Sequence, residues 1–115
     1  MLDWNEYQKQ IAANNAQIGR ANHEILKGYR TLSESGAATN LLGGKIRELI
    51  ALAVAVTRQC DGCIVTHTDA AIKQGATKEE IVEALGVAIT VNAGAALVYS
   101  SRVIDAFNAK TPALG

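Results

Sequence analysis

A seven-residue spacing of large apolar side chains runs through the first third of the chain. The positions are Trp4, Ile11, Ile18, Ile25 and Leu32. Residues seven apart lie on one narrow stripe of an α-helix, so the spacing predicts one helix or two between about Asp3 and Leu32. We expect this stripe to lie against the body of the protein. His23 falls outside the stripe and is expected to face solvent.

Two more helical segments follow a predicted loop. Residues 33–44 are rich in Ser and Gly, which indicates the loop. Apolar residues on well over one face then predict a central helix over Lys45–Thr57. Helical spacing resumes near Cys60 and continues to about Gln74. Gly75 can take the left-handed conformation that commonly ends a helix.

The C-terminal third is predicted to open with a capping box. Thr77 is followed three residues later by Glu80, the pattern in which two side chains satisfy the free N–H groups of a helix start. We expect this helix to break or kink at residues 92–94, where Asn and Gly occur, and a last helix to reach about Phe107. The tail from Lys110 is expected to fray.

Composition indicates a single all-α domain. Of the 115 residues, 49% are apolar, 4% are aromatic, 20 are Ala and one is Pro. Ala is the best helix former, and β-sheet proteins normally carry more aromatic and turn-forming residues. No stretch of the sequence alternates with period two. We therefore expect a helical lead-in over residues 1–35, a helical core over 36–109 and a short tail over 110–115.

The charge distribution excludes some partners. The 11 Lys and Arg residues balance 11 Asp and Glu residues, whereas nucleic acids and acidic membranes attract proteins with excess positive charge. Residues 84–101 carry no charge, but their polar side chains and the lack of cationic anchors argue against a membrane span. We expect another subunit to cover this segment. The first residues show no export signal, so a cytoplasmic location is expected.

Four residues form a pattern suited to redox and acid–base chemistry: Glu48, Cys60, Cys63 and His67. On a helix, Cys60 and Cys63 are neighbours, and His67 follows Cys63 by one turn. A helix start stabilises a thiolate through its free N–H groups and its dipole. The two sulfurs can also close a disulfide. His67 can accept a proton from Cys63, and Glu48 can orient that imidazole.

The same residues leave other interpretations open. A Cys-x-x-Cys pair followed by His is half of a zinc site, and Glu48 could be a further ligand. Two inert cysteines at a chance spacing are the simplest alternative, and a non-enzymatic helical oligomer that senses redox state is another. A thioredoxin fold is excluded because no βαβ pattern surrounds the pair.

The residues around this pattern resemble a known family. The segments RELIALAV at 47–54, CDGCIVTH at 60–67 and GATKEEI at 75–81 are similar to the carboxymuconolactone decarboxylase superfamily. Within it, the spacing of the Glu, the two Cys and the His resembles the alkyl hydroperoxidase D (AhpD-like) branch. The resemblance covers about residues 40–108, and the first 35 residues match only loosely.

The resemblance implies an all-α fold that assembles as a homo-oligomer, usually a trimer or hexamer. It implies that Cys63 attacks a hydroperoxide and becomes a sulfenic acid, and that Cys60 resolves this acid to a disulfide. It implies a proton relay through His67 and Glu48. A dithiol reductant, such as a lipoyl-type protein, would then reduce the disulfide, and no cofactor is expected.

A competing enzyme class belongs to the same superfamily. Its decarboxylases act on a cyclic lactone acid and do not depend on a Cys-x-x-Cys pair. The substrate carboxylate would require fixed cationic partners, for which Arg47, Arg58 and Arg102 are the candidates. The cysteine-dependent peroxidase remains the leading prediction.

Overall fold

Five α-helices and the turns between them account for residues 1–112, the part of the chain that the computed structural model describes. In chain order they are α1 (Trp4–Ala21), α2 (His23–Thr39), α3 (Gly44–Arg58), α4 (Asp61–Lys73) and α5 (Lys78–Lys110). No β-strand occurs in these residues, so the all-α prediction is confirmed. The tail was predicted over 110–115, and its residues 113–115 lie outside the described part.

Asn22 divides the N-terminal region into two helices. Its backbone N–H donates to the Ile18 carbonyl at the end of α1. Its side-chain oxygen accepts the N–H of Glu24 at the start of α2. A short polar side chain at this position replaces a missing backbone acceptor, which is why Asn is a preferred helix cap. The helices α1 and α2 therefore meet at a single residue.

The loop predicted over residues 33–44 is wrong, because α2 continues to Thr39. The hydroxyls of Ser35 and Thr39 donate to carbonyls of the preceding turn, so both side chains are satisfied inside the helix. The connection to α3 is only residues 40–43.

A contact with α3 explains why this Ser- and Gly-rich stretch stays helical. The Arg47 guanidinium donates to the Gly36 carbonyl at 3.4 Å and to the Asn40 side-chain oxygen at 2.9 Å. A Cβ atom at position 36 would lie 2.7 Å from Cδ of Arg47, so glycine permits this approach. Arg47 thus fixes the end of α2 against α3. Helix propensity depends only on local sequence and does not include this contact.

The break predicted at residues 92–94 is also wrong, since α5 runs through them. Asn92 donates to the Ala88 carbonyl one turn earlier and to the Thr57 hydroxyl of α3, both at 2.8 Å. Its amide is therefore satisfied while the helix continues through this position. Gly94 weakens the helix by about 1 kcal/mol relative to Ala, which does not end a helix of 33 residues.

The helix α3 holds the fold together. It packs against α4 and α5, while α1 packs against α2 and α4. The predicted bounds of α3 and α4 are correct to within one residue at each end, and Gly75 has a φ of +84° after α4 as expected. The buried apolar side chains are mostly small: Leu52, Ala55, Val65, Ala71 and Ala88.

The predicted capping box is confirmed at the start of α5. The Glu80 N–H donates to the Thr77 hydroxyl at 3.1 Å, and the Thr77 N–H donates to the Glu80 carboxylate at 2.9 Å. Lys45 of α3 donates to the same carboxylate at 2.7 Å. The Lys45 bond, and then the Thr77 N–H, lower the pKa of Glu80 from its usual 4.5. The stabilisation is present above that usual value and is lost as the pH falls through the folded-state value.

The C-terminal half of α5 extends beyond the helix on which it packs. At 1.5 Å per residue, α5 is about 50 Å long and α3 is about 22 Å long. Partly or fully buried residues of α5 lie between Glu80 and Gly94, whereas every residue of 95–110 is exposed. We call residues 95–110 the α5 overhang. Its large apolar side chains are Leu97, Val98, Tyr99, Val103, Ile104 and Phe107.

The chain exposes far more surface than a compact protein of its size. Its accessible surface is 8944 Å² for a mass of 12.1 kDa, whereas a compact monomer of that mass exposes about 6,000 Å². Its radius of gyration is 19.7 Å and its longest extent is 63 Å, against a radius of about 13 Å for a compact domain of this length. The excess surface is about 2,900 Å² by the same scaling.

Within the described residues, α5 is also the one helix long and apolar enough to cross a membrane by length and composition. A helix that packs against other protein surfaces can have the same length and apolar composition.

Replacing Thr77 with Ala is expected to lower the free energy of unfolding by about 1 kcal/mol, because one free N–H of the α5 start loses its acceptor. Thr31→Ala is the matched control, since Thr31 lies inside α2 and its hydroxyl only donates back to the Lys27 carbonyl. Urea unfolding at one fixed protein concentration measures both. Equal losses for the two variants would contradict the capping role.

Candidate active site

A tight turn between α3 and α4 places Cys60 at the start of a helix. Gln59 has a φ of +53° and ends α3 in the left-handed conformation, and the Cys60 N–H donates to the Ala55 carbonyl at 3.1 Å. Cys60 itself is extended and caps α4, because its sulfur accepts the N–H of Cys63 at 3.2 Å. The free N–H groups and the positive end of the helix dipole therefore point at this sulfur.

Cys60 and Cys63 form a disulfide within the chain, with Cα atoms 5.2 Å apart. Both residues are partly exposed. A disulfide at an accessible helix start can be attacked by a thiolate from solution, and the sulfur released is stabilised as a thiolate by the cap. Each chain can therefore store two electrons in the dithiol form and release them when the disulfide forms.

The predicted pairing of His67 with Glu48 is present. Nδ1 of His67 lies 2.7 Å from a carboxylate oxygen of Glu48, across the contact between α4 and α3. Their side chains are 30% and 24% exposed. An ionised carboxylate only accepts hydrogen bonds, so we assign the Nδ1 proton to this bond. Nε2 is then the ring nitrogen that exchanges protons with other groups.

The N-terminal helices border an open cavity above the disulfide. Its volume is about 360 Å³. The floor is formed by α4 through Cys60, Gly62, Cys63, Thr66 and His67. The opposite wall belongs to α1 and α2 and is mostly apolar: Ile11, Asn15, Ile18, Ile25, Leu26 and Tyr29.

This wall is the part of the site that sequence reasoning missed. Ile11, Ile18 and Ile25 belong to the seven-residue stripe, which was expected to lie against the body of the protein. In the structure they face the cavity, and Ile18 and Ile25 remain about half exposed. The spacing was the signal, but it does not say which surface an apolar stripe meets.

A polar contact holds α1 over α4 beside this cavity. The Gln8 amide donates to the Asp69 carboxylate at 3.4 Å, and Lys73 donates to the same carboxylate at 3.0 Å. The Lys73 hydrogen bond lowers the pKa of Asp69, and the Gln8 bond adds to that effect. A second cavity of about 360 Å³ lies along this contact, lined by residues such as Trp4 and Ile72.

Other sequence candidates lie away from the disulfide. Arg47 is bound to the end of α2, and Arg102 lies over the Tyr99 ring at 4.9 Å in the α5 overhang. Arg58 lines a groove between α3 and α5. None of the three lines the cavity over the disulfide. His23 starts α2 and is exposed, as expected.

A metal-ligand cluster was the other sequence-based alternative at this site. Among residues 1–112, no group of three or more His, Cys, Asp or Glu side chains is placed to hold a metal ion.

A family model and several relatives match this chain. The sequence profile of the carboxymuconolactone decarboxylase family matches residues 23–106. An uncharacterized protein from Haemophilus influenzae is 41% identical over 106 residues, which cover 92% of this chain and 94% of the relative. Uncharacterized protein 4 in the cox locus of Paracoccus denitrificans is 36% identical over 88 residues, covering 76% of this chain and 79% of the relative.

A solved structure shares the fold. The crystal structure of a carboxymuconolactone decarboxylase family protein from Legionella pneumophila superposes with a TM-score of 0.74 at 33% identity, covering 91% of this chain and 94% of the other.

Fold and site together define a small all-α protein with a redox-capable Cys-x-x-Cys pair beside a His–Glu pair. The chain belongs to the carboxymuconolactone decarboxylase family. Helix α1 lies before the matched residues 23–106, so the α1 part of the cavity wall comes from outside the matched region, whereas the α2 part lies within it.

Under non-reducing conditions, the oxidised protein is expected to take up no thiol-alkylating reagent, because both cysteines are in the disulfide. After reduction it should take up two equivalents per chain, one for each cysteine of the sequence. Intact-mass spectrometry counts the adducts, and a non-reducing gel separates chains joined to each other. Adducts before reduction, or a disulfide between chains, would contradict the Cys60–Cys63 pairing.

Proposed function

We propose that the protein is a thiol–disulfide oxidoreductase with alkylhydroperoxidase-like peroxidase activity. The observation that carries this proposal is the common cavity of the Cys60–Cys63 disulfide and His67, whose ring is bonded to Glu48. A disulfide that only stabilises a fold has no need of an oriented imidazole or of open space above it.

The reaction begins with the dithiol form. The Cys63 thiolate attacks the outer oxygen of a hydroperoxide, the O–O bond breaks, and Cys63 becomes a sulfenic acid. The leaving alkoxide takes a proton from protonated His67 and departs as an alcohol. His67 is suited to this step because it lies one turn after Cys63 and shares its cavity.

Resolution of the sulfenic acid forms the disulfide. The Cys60 thiolate attacks the Cys63 sulfur, the new S–S bond forms, and hydroxide leaves and becomes water on protonation. The capping N–H of Cys63 stabilises the negative charge on Cys60 before this attack. Glu48 acts as a positioning residue, since it reaches the reaction only through the His67 ring.

A dithiol reductant closes the cycle. One of its thiolates attacks the disulfide and releases one protein cysteine as a thiolate, which leaves a mixed disulfide. Its second thiol then attacks the reductant's own sulfur in that mixed disulfide, so the second protein cysteine is released and the reductant leaves as its own disulfide. A lipoyl-type protein is the partner we propose, because its two thiols are joined on one flexible arm. Continuous reduction of this kind requires a reducing compartment, which favours the cytoplasm.

We also propose that the protein works as a homo-oligomer, a trimer or hexamer by its resemblance to the AhpD-like branch. The excess surface of about 2,900 Å² supports this, since obligate interfaces bury about 2,000–5,000 Å² in total.

Cysteine variants test which sulfur attacks the peroxide and which one resolves the sulfenic acid. Cys63→Ser is expected to abolish peroxide consumption in an assay coupled to a lipoyl-type dithiol, because no sulfenic acid can form. Cys60→Ser should stop after one turnover and leave a sulfenic acid at Cys63 that a dimedone-type probe traps. Wild-type turnover by Cys63→Ser would exclude the proposed attacking sulfur, and a trapped acid at Cys60 would reverse the two roles.

Glu48→Gln is expected to lower kcat by about 10²-fold through loss of an oriented proton donor. The KM for the dithiol should stay unchanged, because Glu48 does not line the cavity. Glu83→Gln on an exposed part of α5 is the matched control and should behave as wild type. Equal kinetics for Glu48→Gln and Glu83→Gln would remove Glu48 from the relay.

The matched family gives a second candidate, decarboxylation of a lactone acid. The variant Cys60→Ser/Cys63→Ser separates the two, since decarboxylation of such a substrate by this double variant would favour the lactone-acid enzyme.

A further inference from the structure

The cavity over the disulfide is incomplete in a single chain. Its apolar rim on α2 stays largely exposed: Ile25 is 55% exposed and Tyr29 is 65% exposed. Leu32, the next residue of the same stripe, is 73% exposed. Leaving a contiguous apolar rim in water is unfavourable by about 25 cal/mol for each Å².

The same chain carries an apolar surface of the opposite shape. The α5 overhang is a single helix with no neighbour along its length, and Leu97, Val103 and Ile104 are each more than 60% exposed. An isolated helix of this length is marginal in water, and packing of an apolar face normally stabilises it. The overhang is therefore a convex apolar ridge about 24 Å long. The rim of the cavity borders a concave apolar groove.

Within one chain, the α5 overhang and the apolar rim of the cavity do not cover each other. The overhang begins where contact with α3 ends, and the hydroxyls of Ser100 and Ser101 donate only to carbonyls of α5 itself. The excess surface of about 2,900 Å² per chain exceeds the roughly 800 Å² that each partner buries in a standard interface. A second copy supplies both surfaces at once, and exchange of a ridge for a groove can close an oligomer by symmetry.

We propose that the α5 overhang of a second copy packs on the apolar rim of α2 and forms a further wall of the cavity over the Cys60–Cys63 disulfide. Each active site is then built from two chains: α4 supplies the sulfurs and the imidazole, and the overhang of the second copy supplies the further wall. The arrangement rests on the homo-oligomer proposed above, but it does not require that the substrate be a peroxide.

Cross-linking between two differently labelled chains tests this arrangement. Both chains carry Cys60→Ser/Cys63→Ser, so they have no redox activity and no competing thiol. One chain also carries Tyr29→Cys at the rim, and the other carries a larger tag and Ile104→Cys in the overhang. The two are mixed, unfolded and refolded together, and then treated with a short bismaleimide.

The matched control replaces Ile104→Cys with Ile89→Cys, on the part of α5 that packs on α3. The two isoleucines are 62% and 67% exposed, so their intrinsic reactivity is comparable. Groups held side by side react at an effective concentration near the millimolar range, so we expect about tenfold more cross-link from Ile104→Cys than from Ile89→Cys. Phe107→Cys, one turn further along the overhang, provides a second position if Ile104→Cys fails to fold.

Size-exclusion chromatography with light scattering on the same samples separates the possible failures. An intact oligomer with equal or no cross-linking at both positions overturns the proposed contact and leaves the homo-oligomer standing. A monomer overturns both, and recovery of the chain with phospholipid vesicles would assign α5 to a membrane instead. Peroxidase assays on wild type are independent of every one of these results.

Discussion

The turn at Gln59 and Cys60 is the constraint on which the site depends. Because Gln59 ends α3 in the left-handed conformation and Cys60 is extended, α4 folds back along α3. The reversal sets Glu48 beside His67, although nineteen positions separate them in the sequence. The same turn makes Cys60 the cap of α4 and brings its sulfur to Cys63. A change in this turn would therefore move the acid–base pair and the sulfur pair together.

Much of the core could be predicted from local signals, and the failures have a common cause. Spacing was enough for α3, for α4 and for the cap at Thr77, because each depends on residues within a few positions of one another. The loop at 33–44 and the break at 92–94 were wrong because contacts from α3, through Arg47 and Thr57, satisfy polar groups that usually end a helix. Such contacts are set by the fold.

The candidate site was predictable to a similar degree. The pairing of Glu48 with His67 was expected from the place of Glu48 on the helix before the Cys-x-x-Cys pair, and the structure contains that bond. The cavity wall on α1 and α2 was not predictable, because the spacing of apolar residues does not indicate which surface the helix face will contact. Small core residues such as Ala55 and Ala71 bring the helices close. The core between the helices is therefore thin, and the outward faces of these helices remain apolar.

The position of Cys60 has a consequence for the helix as well as for the chemistry. Its sulfur is one half of the disulfide and also the acceptor for the Cys63 N–H, one of the free N–H groups in the first turn of α4. A thiolate is a far better acceptor than a neutral disulfide sulfur, since charge-assisted hydrogen bonds are roughly twice as strong as neutral ones. Reduction of Cys60 to a thiolate is therefore expected to strengthen the hydrogen bond that caps α4, and reoxidation to the disulfide is expected to weaken it.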